Sequence, residues 1–201
     1  MNFTETANLV FSKAVRDYHL TDNVDSKMPN PYTQGTIEYD LYTKNWIDTV
    51  QWHLEDIIRD TKINPIDALA LKRRIDHSNQ DRTDLVERID SYFYEMFSQV
   101  KPTAGAKINT ESPAWAIDRL SILHVKLFHM QVEVDRKDVT PEHHDKCAKK
   151  LAVLQEQFAD LTSAIDDLLN DYQKGVKVMK VYKQMKMYND PELNPVLYMQ
   201  K

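Results

Sequence analysis

The chain has 201 residues, 42% of them apolar, which suits one large domain or a domain with an appendage. Only 3 residues are glycine and 8 are proline, a turn-poor composition that disfavours a sheet-rich fold and favours long helices. The net charge of −5 argues against a general nucleic-acid binder, and no stretch approaches the ~20 apolar residues of a membrane span.

In chain order, the start MNFTETANLVFSKAV lacks a basic region followed by a long apolar run, so no signal peptide is expected and a soluble cytoplasmic protein is the default. A short helix is predicted over 3–19, and the Asn-, Asp- and Pro-rich segment 21–35 reads as a loop. The second helix is predicted over 36–59. Asn64-Pro65 supplies an N-cap and a first-position proline, opening a third helix that extends to Gln99. Residues 100–111 form the next loop. Ser112-Pro113 repeats the capping logic for a fourth helix to Arg136, and Thr140-Pro141-Glu142 does so for a fifth to Tyr172. A last helix over 176–188 ends at Asn189-Asp190-Pro191. The expectation is all-α: an elongated antiparallel four-helix bundle with additional N- and C-terminal helices. It forms one domain over 1–201, with core 36–172 and flanking helices 3–19 and 176–188.

Apolar spacing predicts which faces turn inward. In the fifth helix Cys147, Leu151, Leu154, Phe158, Leu161, Ile165, Leu168 and Tyr172 alternate by four and three, a bundle seam in which Cys147 is a small core residue. The fourth helix has the seam Ala116, Leu120, Leu123, Leu127, Met130 and Val134, plus a second stripe of Trp115, Ile122 and Val125, which places it at the centre with Trp115 inside. On the second helix Ile47, Val50, Leu54 and Ile57 make the seam. The opposite face holds Asp48, Trp52, Glu55 and Arg59, so Trp52 is either covered by a terminal helix or lines a pocket.

The third helix is the anomaly. Its seam runs Leu71, Ile75, Ser78, Arg82, Leu85, Ile89 and Met96, yet Asp76 to Asp84 contains no apolar residue. Arg82 either enters the bundle and meets a carboxylate, with Asp118, Glu55 and Asp56 as candidates, or lays its stem on the core and keeps its head in water.

Several chemistries are set aside. No Glu-x-x-His pairs of a di-iron bundle occur, and no Gly-rich phosphate loop. His124 and His129 are five apart rather than four, and Glu142-His143-His144-Asp145 reads as a surface helix start, so no metal site is read here. Asp84, Glu87 and Asp90 keep open a minor alternative, a Mg-dependent all-helical nucleotide pyrophosphatase, although they fall on the outward side of the third helix. Lys174, Lys177, Lys180, Lys183 and Lys186 make a single-sign face beside the stripe Val178, Val181, Met185 and Tyr188. They read as a docked helix with solvated lysines, or as a face toward anions or a membrane surface.

The runs NWIDTVQWHLEDIIRD, LKRRIDHSNQDRTDLVERID, TESPAWAIDRLSILHVKLFHM and VYKQMKMYNDPELNP resemble a bacterial family of unknown function, the one numbered 4254 among such domains. The likeness covers Asn45 to Pro195. It implies an all-helical bacterial protein without an assigned activity, associated with glycosyltransferase genes of surface polysaccharide synthesis. Asp118 to Leu123 with Lys126 also resembles a phrase in a second uncharacterised family with similar associations.

The functional expectation is a polar pocket between the second, third and fourth helices. Its candidate residues are His53, Glu55, Arg59, Asn79, Arg82, Trp115, Asp118, Arg119, Lys126 and His129, joined on its apolar side by Ile122. The cations suit a small anion, a phosphorylated sugar or nucleotide. The alternative is an interaction protein that docks on a partner enzyme.

Overall fold

The computed structural model describes residues 2–187 and 190–199. Five long helices build the molecule: α1 (Phe3–Tyr18), α2 (Ile37–Ile57), α3 (Pro65–Met96), α4 (Pro113–Asp135) and α5 (Pro141–Gln173), followed by the single turn α6 (Pro195–Tyr198). Among the described residues there are no strands, and no helix is long and apolar enough to cross a membrane.

The helix starts follow local chemistry. Asn2 and Glu5 form a reciprocal capping box on α1, and Thr36, Asn64 and Thr140 each accept a first-turn N–H of their helix. At α4 the cap is borrowed instead. Ser112 makes no cap bond to its own helix, and its hydroxyl donates to Asp90 of α3 at 2.6 Å. Asp90 also accepts the Ala114 N–H at 3.2 Å, so a carboxylate sits where the helix dipole favours negative charge. Asp90 is therefore buried, not outward as its seam position suggests, and burial raises its carboxyl pKa against the lowering effect of those two bonds.

Contacts fix the helix directions. Asp90 meets Ser112 while Arg82 meets Asp118, so α3 and α4 are antiparallel. Asn45 meets Ser121 while Trp52 meets His129, so α2 and α4 run parallel across the bundle. α4 touches α1, α2, α3 and α5, which makes it the central helix. α1 is an integral wall rather than a flank: Ala7, Val10, Phe11, Ala14 and Tyr18 belong to the main core with Leu41, Leu85, Ile89, Phe93, Ile117 and Leu120. On α5 the seam residues from Cys147 to Tyr172 are buried or half-buried while most of the remainder is exposed. Trp115 is half-buried against the core, and Met96 is exposed because Phe97 takes the inward position at the end of α3.

The predicted helix over 176–188 is not formed: residues 178–187 have no regular secondary structure, and Tyr188 lies outside the described residues. The cause lies at Gly175. With φ +69° it accepts the left-handed position that ends α5. Its N–H donates to the Tyr172 carbonyl and the Val176 N–H to that of Asp171, the two bonds of a Schellman motif. The chain then pairs with the 103–107 loop: Thr103 N–H donates to the Gly175 carbonyl at 2.9 Å, and Val178 N–H to that of Lys107 at 2.9 Å. Backbone groups that a helix would have bonded internally are satisfied by this neighbour. Lys177 pairs with Asp171, and Lys186 donates to Thr83, so the lysines do not form one solvated face.

His124 is an enclosed core histidine. The rings of Phe11 and Phe158 lie edge-on at 5.6 and 5.3 Å, Asn8 Oδ1 is 3.0 Å from Nε2, and Ser12 Oγ is 3.4 Å from Nδ1. Burial, assisted by Arg16, lowers its pKa to about 4.

Two tests follow from this packing. A Cβ at Gly175 would lie 2.6 Å from the Lys101 carbonyl oxygen at a positive φ. Gly175→Ala should therefore destabilise by roughly 1–3 kcal/mol, read as a lowered urea midpoint. His124 is neutral in the native state, so its contribution to stability is complete above pH 6.5 and is lost as pH falls toward 4. The loss should be on the order of 3 kcal/mol. Denaturation at stepped pH should show it, and His124→Gln should flatten the profile over that window.

Candidate functional site

The second helix buries a face that its apolar spacing does not mark. Leu41, Lys44, Asn45, Asp48 and Thr49 point inward with Leu54, whereas Ile57 is exposed and Ile47 and Val50 are half-buried. α2 is held between α1, α3 and α4, so its polar side is enclosed as well as its apolar side. Lys44 is 0% exposed. Its ammonium pairs with Asp48 Oδ2 and lies 2.9 Å from Asp118 Oδ1. Ser121 Oγ donates to Asp48 at 2.6 Å, and the Asn45 amide donates to the Ser121 carbonyl at 3.1 Å. Arg82 completes the set, its Nε 3.8 Å from Asp118 Oδ1, so two buried carboxylates face two cations. Asp48 Oδ1 is buried with no hydrogen-bond partner among the described residues. Burial raises the Asp48 carboxyl above the usual range, the Asp118 charge adds to this, and Lys44 and Ser121 oppose it.

A cleft of about 360 Å³ opens beside this cluster, between α2, α3 and α4. Asp48, Gln51, Trp52, Glu55, Asp56, Arg59, Arg82, Ile122 and Val125 line it. Arg82 stands at its edge, 26% exposed, and the carboxylate it meets is Asp118 rather than Glu55 or Asp56. Arg59 is paired with Glu55 at 2.9 Å. Gln51 accepts from Ser78 and donates to Asn79, which satisfies part of the polar middle of α3. The apolar gap in the third helix is thus a polar wall matched from α2.

The ten candidate residues divide among several surroundings. Glu55, Arg59 and Arg82 line the cleft, with Asp118 behind it. Asn79 bonds Gln51 from outside the cleft wall. Arg119 leaves the group: it pairs with Glu111 at 3.0 Å and, with Lys126, lines a separate groove between α4 and α5. Trp115 faces another small pocket beside Asp90, Tyr172 and Val178. His53 and His129 gather with His19, one ring nitrogen from each lying within 4.8 Å of the others. Trp52 lines a pocket. It stacks on His129 at 4.8 Å and separates the cleft from an apolar groove along α5. For the pyrophosphatase alternative the carboxylates are committed elsewhere: Asp90 caps α4, Glu87 accepts the Gln184 N–H, and Asp84 accepts from Gln80.

Lys44, Asn45, Gln51 and Ser121 are the residues that spacing alone missed. The signal present for them is the i, i+4 pair Lys44 and Asp48 between the core aromatics Tyr42 and Trp46 and the buried Leu54.

The model of a family described as a protein of unknown function, DUF4254, matches residues 38–181, and the chain belongs to that family. No curated protein and no solved structure matches it. The matched stretch includes Lys44, Asp48, Arg82 and Asp118 and leaves out the whole of α1.

Removal of the buried ammonium tests the ionic cluster. Lys44→Met leaves two carboxylates facing one loosely held guanidinium, and should destabilise by about 3–5 kcal/mol. Pairing it with Asp48→Asn should recover part of that loss, read from urea midpoints at pH 7.

Proposed function

We propose that this member of the family binds a small anionic ligand in the α2–α3–α4 cleft, with Arg82 as its anchor. One observation carries the reading. Arg82 approaches its only ion-pair partner among the described residues through Nε at 3.8 Å, and its terminal nitrogens make no hydrogen bond there. A guanidinium fork so placed offers parallel donors to a phosphate or carboxylate. The cleft volume of about 360 Å³ falls in the range of small-molecule sites. Trp52 supplies a flat apolar wall, and Arg59 a second cation that is partly neutralised by Glu55.

The acids narrow the ligand class. Asp48, Glu55 and Asp56 line the same cleft and repel a polyanion, while their oxygens accept hydrogen bonds from hydroxyl groups. One anionic group joined to a hydroxylated body fits this lining best, the chemistry of a phosphorylated sugar or a mononucleotide. A role beside surface polysaccharide synthesis agrees with that class. The reading assigns no bond-breaking step.

A second reading, docking on a partner enzyme, draws support from the groove of about 600 Å³ in which Trp52, Met130, Val153 and Leu154 lie among the charged residues Lys126, Glu133, Lys149 and Lys150. The two separate by experiment. A thermal-shift panel of inorganic phosphate, hexose phosphates, nucleotides and sugar nucleotides should raise the melting temperature for at least one ligand that joins a single phosphate group to a hydroxylated body. That rise should vanish in Arg82→Gln, whose own melting temperature drops only slightly because the Asp118 contact is long and partly exposed. No shift with any member of the panel would remove the cleft reading and leave the docking one.

A further inference from the structure

We infer that His19, His53 and His129, with Asp22 as the fourth ligand, form a binding site for a divalent transition metal of the zinc class. This site is separate from the cleft and does not depend on it. The three imidazoles come from the end of α1, from α2 and from α4, and converge so that one nitrogen of each lies within 4.8 Å of the others. His19 Nε2 and His53 Nε2 are 3.3 Å apart, and Asp22 Oδ1 lies 3.6 Å from His53 Nε2. Tetrahedral ligands about 2.0–2.1 Å from zinc stand roughly 3.3 Å from one another, so the His19–His53 separation already matches one edge of such a site, whereas Asp22 lies near His53 alone, outside the group whose atoms are all within 4.8 Å, and has to swing inward on its exposed side chain to join. The third histidine needs to close by about 1.5 Å at most to join them.

The tautomers and supports also suit a metal. His19 Nδ1 is 2.6 Å from the Val15 carbonyl, which can only accept, so Nδ1 carries the proton and Nε2 presents its lone pair inward. A backbone carbonyl on the remote nitrogen is the usual support of a metal-bound imidazole. His129 Nε2 is buried without a hydrogen-bond partner among the described residues, a polar atom left for a ligand to satisfy. Each imidazole is also held flat against an aromatic ring: His19 on Phe128 at 4.0 Å, His53 on Tyr18 at 5.1 Å and His129 on Trp52 at 4.8 Å. Stacking of this kind fixes ring planes before a ligand arrives.

Asp22 adds an independent mark. It is a non-glycine residue at φ 46°, and its N–H donates to the Tyr18 carbonyl just past the end of α1. That turn carries its exposed carboxylate over His53 and leaves the fourth position reachable from solvent. Imidazole donors with one carboxylate favour zinc, nickel, copper or cobalt over magnesium or calcium. A bound ion would staple the end of α1 to α2 and α4.

The rival cluster, Glu133, His143 and Cys147, is less free, because Glu133 is already held by Arg136 at 3.0 Å and by His143 at 3.2 Å. It supplies the control. Metal-free full-length protein in phosphate-free buffer is titrated with Co²⁺ and, separately, with Zn²⁺. The site predicts one equivalent of Co²⁺ with visible d–d absorption and a melting temperature raised by Zn²⁺. His53→Gln and His129→Gln should each weaken binding by at least ~100-fold, and Asp22→Asn by about tenfold. His143→Ala should leave it unchanged. Circular dichroism verifies that each variant is folded, and the wild-type cobalt spectrum stands without any variant. Absence of the cobalt band and of the zinc shift overturns the inference, as does binding that is lost in His143→Ala but kept in His53→Gln.

Discussion

The arrangement of the bundle depends on one buried ammonium. Lys44 is fully enclosed and lies between Asp48, one turn along its own helix, and Asp118 on α4. A charge taken out of water costs several kcal/mol, which is offset only where partners hold good geometry. Here that requirement sets the register of two helices that no short loop joins. The α2–α3 and α4–α5 pairs are adjacent in the chain, and short connections restrict their offsets, while α3 and α4 are tied by the Asp90 cap. The α2–α4 pair has neither link. A slide of one turn between them would separate Lys44 from Asp118, Asp48 from Ser121 and Asn45 from Ser121 together. Apolar contacts tolerate such a slide far better than directional polar ones do.

The cleft follows from the same cluster. Toward α3 the ionic set is finished by Arg82, whose long stem reaches in from the edge of the bundle. Short polar side chains at Ser78 and Asn79 fill less space than the leucines of an ordinary seam, and Gln51 spans to them by hydrogen bonds. An opening remains between the helices, its floor buried and polar and its far wall formed by Trp52, Ile122 and Val125. The polar stretch of α3 therefore borders the gap and supplies Arg82 to its lining.

What was legible in the sequence was local. Helix starts were readable because Asn64-Pro65 and Thr140-Pro141 act within one turn, and the α5 seam because that helix packs on one side only. The inward face of α2 was not readable. A helix enclosed by three neighbours has no solvent side against which an apolar stripe stands out, and Lys44, Asn45 and Asp48 look like surface by residue type. The segment after Gly175 failed for a different reason. Val178 and Val181 fit a helical repeat, but the backbone bonds that hold the chain from Gly175 to Val178 come from Thr103 and Lys107, distant in sequence. Of the pocket residues, Arg59 and Arg82 share one cleft, whereas Arg119, one position past Asp118, points to another groove. A step of about 100° between neighbours on a helix is enough to part them.

Successive turns of α2 carry distinct parts: Lys44 and Asp48 in the ionic cluster, Trp52 in the cleft wall and His53 in the histidine group. A helix of 21 residues is stiff over that length, so these groups hold fixed positions relative to one another. Trp52 is the point where they meet. One side of its indole lines the cleft, and its ring plane lies within 7° of that of His129. A cation drawing the three imidazoles together would act on Trp52 through that contact, restricting a wall against which a cleft ligand must pack. Ordering a wall in advance removes part of the entropy that ligand binding would otherwise have to offset. The two proposed sites are thus chemically separate and mechanically adjacent, joined by one aromatic ring.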